Sequence, residues 1–222
     1  ALGHADGAAM VTAGHYPWYE NGFKLSGRDG GFTGEEIEEI LRAAETASPV
    51  VRLVTPFDMA SLYLEQLRAM VCRRLDSDVQ CPLLGLHVVV DAGGGIGALF
   101  ARFLEELGCE ITGSRGLEHD PFSPADFRAF DDPRVLKEMA RTVADNTADL
   151  GVILDADGDR AVFVDEKGRT LNGDRLIALI SALLLREPGA TIVTDSVTSS
   201  GLQRFITEWG GEHYRFKRGY QN

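Results

Sequence analysis

Three aspartates stand at every second position in DADGDR, residues 155–160, with Gly158 between the last two and Arg160 directly behind them. Carboxylates this close repel one another unless a cation joins them. Their oxygens are hard ligands, the kind Mg²⁺ takes. Gly158 lets the backbone turn tightly between two ligands. Arg160 adds a planar cationic fork of the shape that suits a phosphate group. The apolar run GVIL precedes the aspartates and AVFV follows them. That placement sets the cluster at the carboxyl end of a buried strand, where open α/β sheets hold ligands. An EF-hand is excluded: no Glu follows at the required spacing, and a strand follows in place of a helix. Asp155, Asp157 and Asp159 are therefore the expected metal ligands, and an acidic solvated turn is the bland alternative.

Two further stretches carry chemistry-bearing residues. TAGHYPWYENGFK, residues 12–24, places Gly14, His15 and Lys24 in a glycine-bearing, aromatic loop. Taken alone, His15 fits a structural hydrogen-bonder and Lys24 a surface charge as readily as they fit catalysis. DAGGGIG, residues 91–97, partly matches a dinucleotide-binding turn through Gly93 and Gly95. Ala98 occupies the position of the last glycine, and no convincing ribose-binding acid follows. A tight turn that lets a helix pack on the sheet, with nothing bound, is the better reading.

The elements that must position these residues follow from periodicity. GAAMVTA reads as a strand, and the span from Gly14 to Gly31 as a loop. FTGEEIEEILRAAETA reads as a helix, capped by Thr33 with Glu36 three residues on. VVRLV is a strand candidate, and Met59 to Leu75 a helix. LHVVVDA, CEITG, ADLGVILD and RAVFVDEKG read as strands, with helices after the glycine turn and over 134–147. RLIALISALLLRE, ATIVTD, SSGLQRFITEWGG and HYRFK continue the alternation. The fold class is α/β: repeated three-layer α/β/α units with mostly parallel, mixed sheets.

Bulk properties narrow the function classes. The 222 residues include 34 acidic and 22 basic side chains, a net charge of −12. Such a surface repels nucleic acid phosphates, so no direct nucleic acid partner is expected. No apolar run is long enough to enter a membrane. Cys72, Cys81 and Cys109 lack metal-site spacing and fit a reducing compartment, with Cys109 as a small buried hydrophobe. ALGHADGAAMV has no leader-peptide character and reads, like the abrupt FKRGYQN, as the interior of a domain.

TAGHYPWYENGFK resembles the active-site loop of the alpha-D-phosphohexomutase superfamily, which includes phosphoglucomutase, phosphomannomutase and phosphoglucosamine mutase. The usual form of that loop is Thr-Ala-Ser-His-Asn-Pro, a few residues, then Asn-Gly-Phe-Lys. DADGDR resembles the magnesium loop of the same superfamily, Asp-Gly-Asp-Gly-Asp-Arg. GGFTGEEIEEI resembles the helix after the serine loop, and VVVDAGGGIG the first strand and turn of the second domain. TIVTDSVTSSGL and HYRFKRGYQN resemble the third domain, closest to plant and algal chloroplast members. The resemblance implies a four-domain fold. Residues 1–57 would be the later part of the first domain, 58–172 the second with its metal loop, and 173–222 the start of the third.

In that superfamily a phosphoserine donates its phosphoryl group to a bound hexose phosphate and recovers one from the other end of the bisphosphate. Carried over, Asp155, Asp157 and Asp159 would hold Mg²⁺, and Arg160 would contact the phosphoryl group. Lys24 would be a candidate acid/base, and His15 would order the loop. The sequence departs at the nucleophile, because Gly14 stands where the serine belongs. Tyr16 replaces the usual Asn, and Ala156 a glycine of the metal loop. LEHDPFSPADFRAFDDP also departs from the usual loop at its position. The expectation is a soluble phosphohexomutase-family isomerase, an intramolecular phosphotransferase of carbohydrate metabolism, degenerate in catalysis and located in the chloroplast by that resemblance, or otherwise in the cytoplasm. Two alternatives stand: a structural or regulatory subunit of a larger organellar assembly, and a Mg²⁺-dependent sugar-phosphate sensor.

Overall fold

A computed structural model of the protein describes residues 5–12, 19–48, 50, 54–115, 131–186 and 189–217. The described residues up to Ser77 form one compact unit, and those from Asp78 onward form a second.

In the first unit, β1 (Gly7–Val11) pairs antiparallel with β2 (Phe23–Gly27), and β2 turns into the short β3 (Gly30–Gly31). The span to Gly31 is thus no simple loop. FKLSG is drawn into a strand because its five residues find ladder partners on β1, a pairing that local sequence does not show. α1 (Gly34–Thr46) starts at the expected capping box. The Glu36 N–H donates to Thr33 Oγ1 at 3.3 Å, and the Thr33 N–H donates to Glu36 Oε2 at 2.7 Å. α2 (Met59–Leu75) is capped by the Asp58 side chain and half-buries Leu64, Leu67 and Val71 along one stripe. Residues 51–53 of VVRLV lie outside the described residues.

The second unit is built on a five-stranded sheet. Its strands are β4 (His87–Asp91), β5 (Glu110–Arg115), β6 (Leu150–Leu154), β7 (Ala161–Asp165) and β8 (Thr170–Leu171), in the order β5-β4-β6-β7-β8. β4 runs parallel to β5 and β6, whereas β6–β7 and β7–β8 are antiparallel, so the sheet is mixed. α3 (Gly97–Glu106) and α4 (Pro133–Asp145) cover its two faces. Side-chain alternation explains this. Val89, Ile153 and Val164 face Val135, Met139 and Val143 of α4, while Val88, Val90 and Val152 face Ala101 of α3 and Cys109. A strand buried on both faces reads as the continuous apolar run seen in HVVV and GVIL.

The chain continues through α5 (Gly173–Leu184), β9 (Thr191–Asp195), α6 (Ser200–Glu208) and β10 (Glu212–Phe216). β9 and β10 pair in parallel across α6. Ile192, Leu202 and Ile206 form a small core there, with Ile177 and Leu185 packed on it. No helix among the described residues is long and apolar enough to cross a membrane.

Candidate metal centre

The cluster 155–160 is the tight connection between β6 and β7. The last ladder pair is Leu154 with Ala161, and the Asp155 N–H then donates to the Arg160 carbonyl at 3.2 Å. Inside that closure the Gly158 N–H donates to the Asp155 carbonyl at 3.2 Å. Gly158 has a φ of +74°, a left-handed conformation that glycine adopts without strain. The tight connection brings the aspartate oxygens together. One carboxylate oxygen from each of Asp155, Asp157 and Asp159 lies within 4.8 Å of the others.

The three aspartates are not equivalent. Asp155 is only 4% exposed, Asp157 is half-buried and Asp159 is exposed. Oδ1 of Asp157 is shielded from solvent. Arg160 supplies the local counter-charge. Its Nε donates to Asp155 Oδ2 at 2.7 Å and to Asp159 Oδ1 at 3.2 Å, and its backbone N–H donates to Asp155 Oδ1 at 3.1 Å. Burial works against the Arg160 charge. The bonds to Asp159 and Asp155, with the attraction of both carboxylates, outweigh it and raise the guanidinium pKa. Three carboxylates and one guanidinium carry a formal charge of −2, which one divalent cation balances. An all-oxygen donor set with that residual charge fits Mg²⁺.

A second turn packs on this loop, and sequence reasoning missed its part in the site. DAGGGIG follows β4, the parallel neighbour of β6, so both turns emerge at the same sheet edge. The Ile96 N–H donates to the Ala156 carbonyl at 3.2 Å. A Cβ at Gly93 would stand 2.6 Å from the Leu154 carbonyl oxygen, and one at Gly95 would overlap the Ala156 carbonyl. Neither position has room for a side chain, because the backbone at 154–156 lies against it. The dinucleotide reading gains nothing: the N–H groups of Gly95, Ile96, Ala98 and Leu99 all donate to protein carbonyls. Two buried strands each ending in Asp plus glycines was the available signal, but their adjacency is tertiary.

The other expected site residues lie in the first unit. Lys24 is an exposed residue of β2, paired across the ladder with Met10. The Thr12 N–H donates to the Gly22 carbonyl at 2.9 Å, extending that ladder by one step. Gly14, His15 and Tyr16 lie outside the described residues, as does most of LEHDPFSPADFRAFDDP. The structure therefore brings together Asp155, Asp157, Asp159 and Arg160, and describes Lys24 separately.

Residues 61–168 match the family described as phosphoglucomutase/phosphomannomutase, alpha/beta/alpha domain II. A phosphoglucosamine mutase from Beijerinckia indica is 32% identical over 221 residues, covering 93% of this chain and 46% of that protein. One from Sulfurovum sp. is 31% identical, covering 98% of this chain and 50% of that protein. A crystal structure of a phosphoglucomutase/phosphomannomutase family protein from Burkholderia thailandensis superposes with a TM-score of 0.75 at 28% identity, over 96% of this chain and 45% of that one. The chain thus spans about half the length of the relatives it matches.

Proposed function

The chain belongs to the alpha-D-phosphohexomutase superfamily, and on that premise we propose that the protein binds Mg²⁺ and a phosphorylated hexose or hexosamine but has lost turnover through an enzyme phosphoserine. One observation carries the binding half: three aspartate oxygens converge within 4.8 Å beside a charge-paired arginine at the carboxyl end of β6. Asp155, Asp157 and Asp159 would hold the metal. Bound there, Mg²⁺ would neutralise charge on phosphoryl oxygens. Arg160 keeps its guanidinium at the same edge through Asp155 and Asp159, with a fork that matches a phosphoryl group. Lys24 is the candidate acid/base, and His15 the residue that would order the loop around position 14.

The catalytic half rests on Gly14, which stands where the superfamily's loop carries its serine. Glycine has no hydroxyl and forms no phosphoenzyme. Thr12 matches the loop's own threonine and so does not replace the serine by slippage. Losing a covalent nucleophile removes several kcal/mol of transition-state stabilisation, leaving what binding and electrostatics retain. The domain division 1–57, 58–172 and 173–222 belongs to the same proposal, and the family match over 61–168 supports its middle part. A chloroplast setting rests on the likeness of TIVTDSVTSSGL and HYRFKRGYQN to plant and algal members, and imaging of the tagged full-length protein tests it.

The experiment is an interconversion assay on the full-length protein. Glucose 1-phosphate to glucose 6-phosphate, and the glucosamine pair, are followed with Mg²⁺ and the matching 1,6-bisphosphate, alongside Gly14→Ser. The proposal expects a silent natural protein and activity in the serine variant. Turnover by the natural protein would overturn it. Silence in both, with hexose phosphate binding retained by calorimetry, turns the reading toward a sensor. Silence with no metal or sugar binding turns it toward a structural or regulatory subunit, the role that loss of the nucleophile also favours.

A further inference from the structure

Ile96 is 54% exposed, a large apolar side chain at the mouth of the sheet edge. We propose that Ile96 is a positioning residue for the metal loop, holding the two spacer residues that separate the three aspartates. The proposal rests on the reading of Asp155, Asp157 and Asp159 as a Mg²⁺ site.

Two independent contacts carry it. Through its backbone, Ile96 donates its N–H to the carbonyl of Ala156, the spacer between Asp155 and Asp157, at 3.2 Å. Through its side chain, it covers Gly158, the spacer between Asp157 and Asp159: a Cβ built on Gly158 would overlap the Ile96 Cγ2 methyl. One residue therefore touches the loop on both sides of Asp157. Ile96 is itself held. It precedes the first residue of α3, and its carbonyl accepts the Leu99 N–H at 3.0 Å. Upstream, the Gly95 N–H donates to the Ala92 carbonyl at 3.2 Å, and Asp91, buried at the end of β4, accepts the Gly93 N–H on Oδ1 at 3.0 Å.

The loop needs such a holder. Before a cation arrives, mutual repulsion favours spreading three carboxylates apart, and every degree of freedom left in the loop is lost when metal binds. A rigid turn pressed against both spacers removes that freedom in advance. The exposure of Ile96 also fits this role, because a half-solvated side chain adds little to the core. Its contribution should therefore appear in metal affinity and not in folding. The contact is specific to a β-branch: Val keeps the Cγ2 methyl, whereas Leu and Ala do not.

The test is calorimetric titration of Mg²⁺, with Mn²⁺ as a second probe, into the metal-free full-length protein and its Ile96→Val, Ile96→Leu and Ile96→Ala variants. Melting temperatures are taken without metal. Ile96→Val should bind like the natural protein, while Ile96→Leu and Ile96→Ala should bind about tenfold more weakly, the usual scale for a group supporting a ligand set. Metal-free melting temperatures should stay level. Equal affinities across all four proteins would overturn the positioning role while leaving the metal site standing. A loss of affinity tracked by an equal fall in metal-free melting temperature would overturn it as a folding effect. No Mg²⁺ or Mn²⁺ binding by the natural protein would remove the metal reading, and this inference with it.

Discussion

Asp157 is the middle one of the three clustered aspartates, half-buried and with one oxygen shielded from solvent. Asp157→Asn preserves shape but removes charge and one oxygen donor. Mg²⁺ affinity should fall at least about tenfold, measured by titration, because a carboxylate outweighs an amide as a ligand for a hard dication. Metal-free stability should hold or rise slightly, since a repulsive charge leaves the cluster. The residue scale is also where sequence reading was strongest. The alternation of Asp155, Asp157 and Asp159, with Gly158 and Arg160, was legible because the chemistry sits within six consecutive residues. Gly14 is read from the sequence in the same way, and its reading as the place of a lost nucleophile remains part of the proposal.

At the scale of elements, α4 lies so close to β6 that a Cβ on Gly151 would stand 2.7 Å from Met139 Sδ and 2.8 Å from Val143 Cγ2. Gly151→Ala should therefore push helix from sheet and destabilise the protein by about 1–3 kcal/mol, the usual cost of overpacking, read by denaturant unfolding. The β7–β8 turn supplies a pH test. Asp165 accepts the backbone N–H groups of Lys167 and Arg169 and the Arg169 side chain, and its pKa lies below the ordinary carboxylate value, first through the Arg169 side-chain bond. A depressed folded-state pKa means that the stabilisation is present above the unfolded value, about 4, and is lost as pH falls through the lower folded value. Melting temperature should drop more steeply below about pH 4 in the natural protein than in Asp165→Asn, which has no such proton to take up. Helices were well read at this scale, since a capping box or an apolar stripe is local. β2 was not, because a strand in an antiparallel pair is made by its partner.

At the scale of the molecule, metal and stability are linked. A ligand that binds only the folded state raises stability by RT ln(1 + [L]/Kd), about 2.7 kcal/mol at a hundredfold excess over Kd. Mg²⁺ should therefore raise the melting temperature with a logarithmic concentration dependence, and Asp157→Asn should cut that rise at the same concentrations, to about half for a tenfold loss of affinity at that excess. A flat response in the natural protein would count against the metal centre. What the sequence alone determined was what is encoded locally: the α/β alternation, the helix caps and the acidic turn at 155–160. What only the tertiary structure decided was who stands next to whom. DAGGGIG and DADGDR lie some sixty residues apart and meet because β4 and β6 pair in parallel and end at one edge. Periodicity reports which face of a strand is buried, but strand order is set by packing and backbone pairing summed over the whole sheet. For that reason the turn read as room for a helix does let α3 pack on the sheet, while Gly93 and Gly95 also make room for the 155–160 loop, which periodicity could not show.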